Sequence, residues 1–118
     1  MTWMIYGANG FTGELASREA ARRGLQPILA GRNAGAVAAL AGELRLSSRA
    51  FGLDDPAAVR AGLAGVAAVL HCAGPFVRTS APLVAACLEA KVHYLDITGE
   101  IAVFEAILAR SREAQRAG

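Results

Sequence analysis

Seven consecutive residues, Gly7-Ala8-Asn9-Gly10-Phe11-Thr12-Gly13, follow the apolar run Trp3-Met4-Ile5-Tyr6 and open a helical pattern that continues to Arg23. A strand that turns on glycines directly into a helix presents free backbone N–H groups and the positive end of the helix dipole at the turn, which is what a pyrophosphate requires. Gly7 suits the tight turn, Gly10 the close approach of phosphate oxygens to the backbone, and Gly13 the close packing of helix on sheet. Ala8, Asn9, Phe11 and Thr12 complete the candidate dinucleotide loop. The spacing is G-x-x-G-x-x-G rather than G-x-G-x-x-G, so the glycines gain their meaning from the strand before them and the helix after.

The rest of the chain repeats that alternation of short β-type runs and helical patterns, which argues for a parallel sheet with helices on both faces. The first strand is Trp3 to Tyr6 and the first helix about Phe11 to Arg23, closed by Gly24 as a left-handed cap. A second strand covers Pro27 to Ala30. Asn33 caps a second helix that places Val37, Leu40 and Leu44 on one face. A third strand runs from about Arg49 to Leu53, and Asp55-Pro56 starts a short helix carrying Val59 and Leu63. The apolar run Val66 to Cys72 reads as a central strand buried on both faces, ending in Ala73-Gly74-Pro75. A fourth helix is expected from about Ser80, with Pro82 in its first turn and Val84, Cys87 and Leu88 inward. A fifth strand follows at about Val92 to Ile97. A last helix from Glu100 or Ile101 would turn Phe104, Ile107 and Leu108 inward and end in the charged stretch Arg110 to Arg116. The expected fold is α/β, a Rossmann-like doubly wound parallel sheet in order 3-2-1-4-5, with the ligand crevice where the winding reverses.

At the end of the second strand, where NAD enzymes place a carboxylate for the adenosine ribose, the chain reads Ala30-Gly31-Arg32-Asn33. An arginine there offers a charge-assisted fork to a 2′-phosphate that a carboxylate would repel, which favours NADP(H) over NAD(H). Without the glycine loop, Arg32 would read as a solvated residue before a helix.

Composition narrows the classes that remain. A chain of 118 residues with 54% apolar content supports one domain, residues 1–118, with a two-sided core. The net charge of +2 is spread over dispersed arginines, which leaves no electrostatic footprint for nucleic acid. Cys72 and Cys87 are isolated thiols without metal-ligand or CxxC spacing, suited to a reduced cytoplasm, and no metal site is expected. No apolar run reaches membrane-spanning length and no signal peptide is recognisable, so a cytoplasmic protein without membrane contact is expected. The chain stops after a helix that would ordinarily feed a sixth strand. It reads as the N-terminal part of a longer protein, and the open edge of the fifth strand could support a homodimer.

The motifs GANGFTG, LAGR, HCAGPF and HYLDITGE, in this order and spacing, make the chain resemble the NADP-binding domain of the saccharopine dehydrogenase-like oxidoreductases. That group includes bacterial trans-acting enoyl reductases, and the resemblance covers essentially the whole chain. It implies that Gly7, Asn9, Gly10, Phe11 and Thr12 line the pyrophosphate, Arg32 meets the 2′-phosphate and Asp54 lies near adenine. It further implies that Ala73, Gly74 and Pro75 flank the nicotinamide ribose, and that Asp96, Thr98, Gly99 and Glu100 lie at the nicotinamide end or at a domain junction. A C-terminal substrate domain is implied as well, so no turnover is expected from these residues alone.

The remaining reactive side chains point elsewhere. His71 ends an apolar strand and reads as a hydrogen-bonded structural histidine, while nothing in sequence pairs with His93. Cys72 reads as core. Tyr94 lacks the lysine four residues on that short-chain dehydrogenases use to lower a phenol pKa, since Thr98 stands there. Asp96 and Glu100 could cap the last helix or touch substrate. No catalytic residue is assigned. Two functions stay open: the cofactor domain of an NADP-dependent oxidoreductase, or a non-catalytic NADP-sensing regulator of the NmrA type.

Overall fold

The computed structural model describes residues 2–73 and 76–96, with backbone alone at 76–80. Five strands, β1 (Trp3–Tyr6), β2 (Ile28–Gly31), β3 (Ser48–Ala50), β4 (Ala68–His71) and β5 (His93–Asp96), alternate with four helices. The helices are α1 (Phe11–Arg22), α2 (Ala34–Leu44), α3 (Pro56–Gly62) and α4 (Phe76–Ala90). All strand pairs are parallel and the sheet order is β3-β2-β1-β4-β5, as the sequence predicts.

Period-two alternation sorts the strand residues between two cores. Met4, Tyr6, Ile28, Ala30 and Val69 pack with Val59 of α3, Leu63 at its C-cap, and Leu83, Ala86 and Cys87 of α4. Ile5 and Leu29, with Leu70 partly buried beside them, face the other way and pack with Val37, Leu40 and Ala41 of α2 and Ala16 of α1. Central strands buried on both faces explain why β1, β2 and β4 read as continuous apolar runs.

The helix ends follow from local chemistry. The Asn33 side chain accepts from the Ala36 N–H at 3.0 Å, and the Asp55 side chain accepts from the Ala57 N–H at 3.0 Å with Pro56 in the first turn. Gly24, at φ +76°, follows α1 as expected. The chain leaves α2 through Arg45 at φ 58°, a left-handed position held by a non-glycine residue that the sequence does not announce.

Several boundaries differ from expectation. β3 ends at Ala50 rather than Leu53, because the Phe51 carbonyl turns away to accept a bond from the Tyr6 hydroxyl at 2.7 Å. α4 starts at Phe76 rather than Ser80, which puts Pro82 inside the helix instead of in its first turn. Proline fits a first turn because it lacks an N–H, and in the interior it removes one helical hydrogen bond that packing through Leu83, Val84 and Cys87 must outweigh. Gly74 and Pro75, the end of the fifth strand at Ile97, and the expected last helix lie outside the described residues.

Candidate dinucleotide site

Every described loop that carries a predicted contact leaves the same edge of the sheet. The Gly7–Gly10 turn follows β1, Arg32 follows β2, the Phe51–Asp54 segment follows β3, and Cys72-Ala73 follows β4. Strand order reverses between β1 and β4, where an open parallel sheet leaves its crevice.

The glycine turn is fixed from below. The N–H groups of Gly7 and Ala8 both donate to the Ala30 carbonyl, at 2.8 and 3.1 Å, drawing the turn over the end of β2. Gly7 lies at φ +83°, and a Cβ on it would sit 2.6 Å from the Ala73 nitrogen, so the loops after β1 and β4 are in backbone contact. A Cβ on Gly13 would lie 1.9 Å from the Gly7 carbonyl oxygen, which makes Gly13 the seat of α1 on the turn. Inside α1, the buried Ser17 hydroxyl donates to the Gly13 carbonyl at 2.7 Å.

Gly10 differs from those two. A side chain there would approach only the Gly7 carbonyl oxygen, at 3.4 Å, so the fold itself leaves the position open. Gly10 is also the N-cap of α1, which has no side-chain cap. The first helical bond runs from the Glu14 N–H to the Gly10 carbonyl, leaving the N–H groups of Phe11, Thr12 and Gly13 without an acceptor in the helix. An uncapped helix start behind an unobstructed glycine is a fit for an anion. Asn9, Phe11 and Thr12 surround it on the exposed side, and the Asn9 side chain lies over Gly31, whose added Cβ would be 3.0 Å from its oxygen.

On the far side of β2, Arg32 is exposed and its stem passes Gly52, with its Cγ 4.0 Å from where a Cβ on that glycine would be. Asn33 beside it is committed through its side-chain oxygen to capping α2. Asp54 is exposed on the neighbouring loop. Burial pushes the Tyr6 phenol up, with Arg32 pulling it down and Asp54 pushing it up, so both charges act on the same hydroxyl.

Beyond β4, a polar chain absent from the sequence reading occupies the α4 side of the sheet. His71, fully buried, places Nδ1 2.7 Å from the Tyr94 oxygen, and the Tyr94 hydroxyl donates to Asp96 Oδ2 at 2.9 Å. Parallel pairing sets His71 opposite Asp96 and Val69 opposite Tyr94, so residues 23 apart in sequence converge on one face. Because the Tyr94 proton goes to the carboxylate, its oxygen accepts from His71 Nδ1–H, which fixes the tautomer. Burial lowers His71 to about 4, against the opposing pull of Asp96 and a backbone hydrogen bond with Ala73. The imidazole is therefore neutral and hydrogen-bonded, and the Tyr94 hydroxyl is committed to Asp96.

Both cysteines are buried, and burial raises both thiols, Cys87 to about 12. Neither is a reactive thiolate. Among the described residues no cluster of His, Cys, Asp and Glu could hold a metal ion, and no helix is long and apolar enough to cross a membrane.

Comparison with known proteins places the chain among oxidoreductase relatives. A provisionally named trans-acting enoyl reductase of Mycobacterium tuberculosis is 36% identical over 104 residues, covering 82% of this chain and 25% of its own length. A trans-acting enoyl reductase of the same species is 33% identical over 105 residues, covering 83% of this chain and likewise 25% of its own. The chain thus spans about a quarter of the length of these curated relatives. Saccharopine dehydrogenase (L-Glu forming) of Saccharomyces cerevisiae superposes with a TM-score of 0.74 at 17% identity, over 88% of this chain and 23% of the enzyme. Triphenylmethane reductase of Citrobacter sp., solved with NADP(H), superposes with a TM-score of 0.75 at 20% identity, over 99% of this chain and 46% of that one. These two share the fold. The model of the saccharopine dehydrogenase NADP-binding domain matches residues 3–118, and the chain belongs to that family.

Proposed function

We propose that this chain is the NADP(H)-binding domain of a longer bacterial oxidoreductase, in which it orients the nicotinamide for hydride transfer and a C-terminal substrate domain completes the active site. The observation that carries this reading is the uncapped start of α1 behind the open Gly10, flanked by Arg32 at the end of β2. Family membership supplies the cofactor class. The relatives, about four times as long as the piece they share with this chain, support the further domain.

In this reading the N–H groups of Phe11 and Thr12 meet the pyrophosphate across the open Gly10, whose own N–H donates to the Gly7 carbonyl, with Gly7, Ala8, Asn9 and Gly13 forming the turn that aims them. Arg32 and Asn33 face the 2′-phosphate, Asp54 the adenine, and Ala73 with Gly74 and Pro75 the nicotinamide ribose. Bound NADPH supplies a hydride donor, and the protein supplies binding and orientation. The names of the mycobacterial relatives put an enoyl group first among substrates. Two buried, unreactive thiols suit a reducing cytoplasm.

Calorimetric titration of the purified chain with NADPH and, separately, NADH tests the proposal. Preference for NADPH is the expected result; equal affinity for both would remove Arg32 from the site, and binding of neither would remove the dinucleotide reading of this domain.

A further inference from the structure

Phe51 is held from four directions at the point where the chain leaves β3. Its N–H donates to the Gly31 carbonyl at 3.0 Å, tying it to the end of β2. Its carbonyl accepts the Tyr6 hydroxyl at 2.7 Å, a buried bond spanning 45 residues of sequence. Its ring lies 5.0 Å from the Tyr6 ring, centroid to centroid. The same ring fills the space over Gly62, where a Cβ would come within 2.4 Å of it. Two residues earlier, Arg49 Nη1 donates to the carbonyls of Gly62 and Ala64 at 2.9 and 2.7 Å, strapping β3 to the end of α3.

What this anchorage holds is the segment that flanks Arg32. Gly52 follows Phe51 directly and faces the Arg32 stem, whose Cγ lies 4.0 Å from where a Cβ on that glycine would be, and Asp54 comes two residues later. A guanidinium on a flexible stem discriminates a phosphate from a hydroxyl only if its approach is fixed, since every rotamer left free must be frozen on binding. Arg32 is exposed on its solvent side, so the wall made by residues 51–54 is what can restrict it.

We propose that Tyr6 is a positioning residue for coenzyme selectivity: its hydroxyl fixes the Phe51 carbonyl, and through the Phe51–Asp54 segment it sets the reach of Arg32 toward the 2′-phosphate of NADP(H). The inference rests on the dinucleotide reading above and adds to it a buried residue that touches no part of the coenzyme. Beyond the rise that burial gives the Tyr6 phenol, Arg32 pulls it down and Asp54 pushes it up, so both charges act on that hydroxyl.

Tyr6→Phe is the test, because it keeps the ring contact with Phe51 and removes only the hydroxyl. NADPH and NADH are titrated into the wild-type chain, Tyr6→Phe and Arg32→Ala, with thermal denaturation in parallel. The expected result for Tyr6→Phe is NADPH affinity weakened about fivefold, with NADH affinity changed less than about twofold, the scale of one buried hydrogen bond. A lower melting temperature with an unchanged NADPH/NADH ratio would overturn the proposal and leave Tyr6 purely structural. Should Tyr6→Phe not fold, Arg49→Gln frees the same segment from α3, and an unchanged ratio in that variant overturns the proposal equally. A selectivity lost in Arg32→Ala but kept in Tyr6→Phe means this inference fails while the dinucleotide reading stands. A wild-type chain with no preference for NADPH means that both fail.

Discussion

The imidazole of His71 and the phenol of Tyr94 meet at 2.7 Å across two parallel strands, and the bond is directed from His71 Nδ1–H to the tyrosine oxygen because the tyrosine proton is held by Asp96. A one-way chain ending on a carboxylate settles several questions together. It gives a fully buried histidine, held neutral by burial against the pull of Asp96, a hydrogen-bond partner; it also withdraws Tyr94 from acid–base work and fastens the C-terminal end of β5 to that of β4 beside Ala73.

Stability should depend on pH through His71. Its folded-state pKa of about 4 lies below the unfolded value of 6.5, so the unfolded chain binds the proton first. The contribution is fully present above about pH 6.5 and is lost as pH falls toward 4, amounting to about 3 kcal/mol. Urea denaturation at stepped pH should show that loss in the wild type. His71→Gln, although less stable at neutral pH, should show a flatter profile between pH 6.5 and 4.

The two loop glycines separate folding from binding. Gly13→Ala forces a methyl against the Gly7 carbonyl and should destabilise the domain by about 2 kcal/mol or more. Gly10→Val meets almost nothing in the protein and should cost no more than about 1 kcal/mol at the N-cap, yet abolish NADPH binding. Melting curves and titrations of both variants check the pair, and retained affinity in Gly10→Val would remove the loop from the site.

Arg32→Ala should weaken NADPH by about tenfold or more while leaving NADH nearly unchanged, because a charge-assisted fork to phosphate is worth about 1.5–3 kcal/mol and NADH lacks its target. Isothermal titration with each coenzyme decides it.

At the far end of α3, Gly62→Ala places a methyl inside the Phe51 ring contact and should cost about 1–3 kcal/mol, read as a lower denaturation midpoint with an unchanged m-value.

The sequence by itself determined the order of elements, the sheet topology and the glycine loop, because each is written in local patterns. Apolar runs, caps at Asn33 and Asp55, and a glycine turn between strand and helix act over a few residues, and a parallel sheet of such units has few ways to wind. It also marked Arg32 by its place after the second strand. Only the tertiary structure decided what surrounds these groups. The Tyr6 hydroxyl finds Phe51 across 45 residues and His71 finds Tyr94 across 23, and neither pair has a spacing that a one-dimensional reading could detect. The start of α4 was illegible for a related reason: the local rule for proline favours a first turn at Pro82, and packing of Leu83, Val84 and Cys87 against the sheet overrides it. Registers, buried partners and the different roles of Gly7, Gly10 and Gly13 depend on which strands lie side by side, and that is fixed when the sheet assembles.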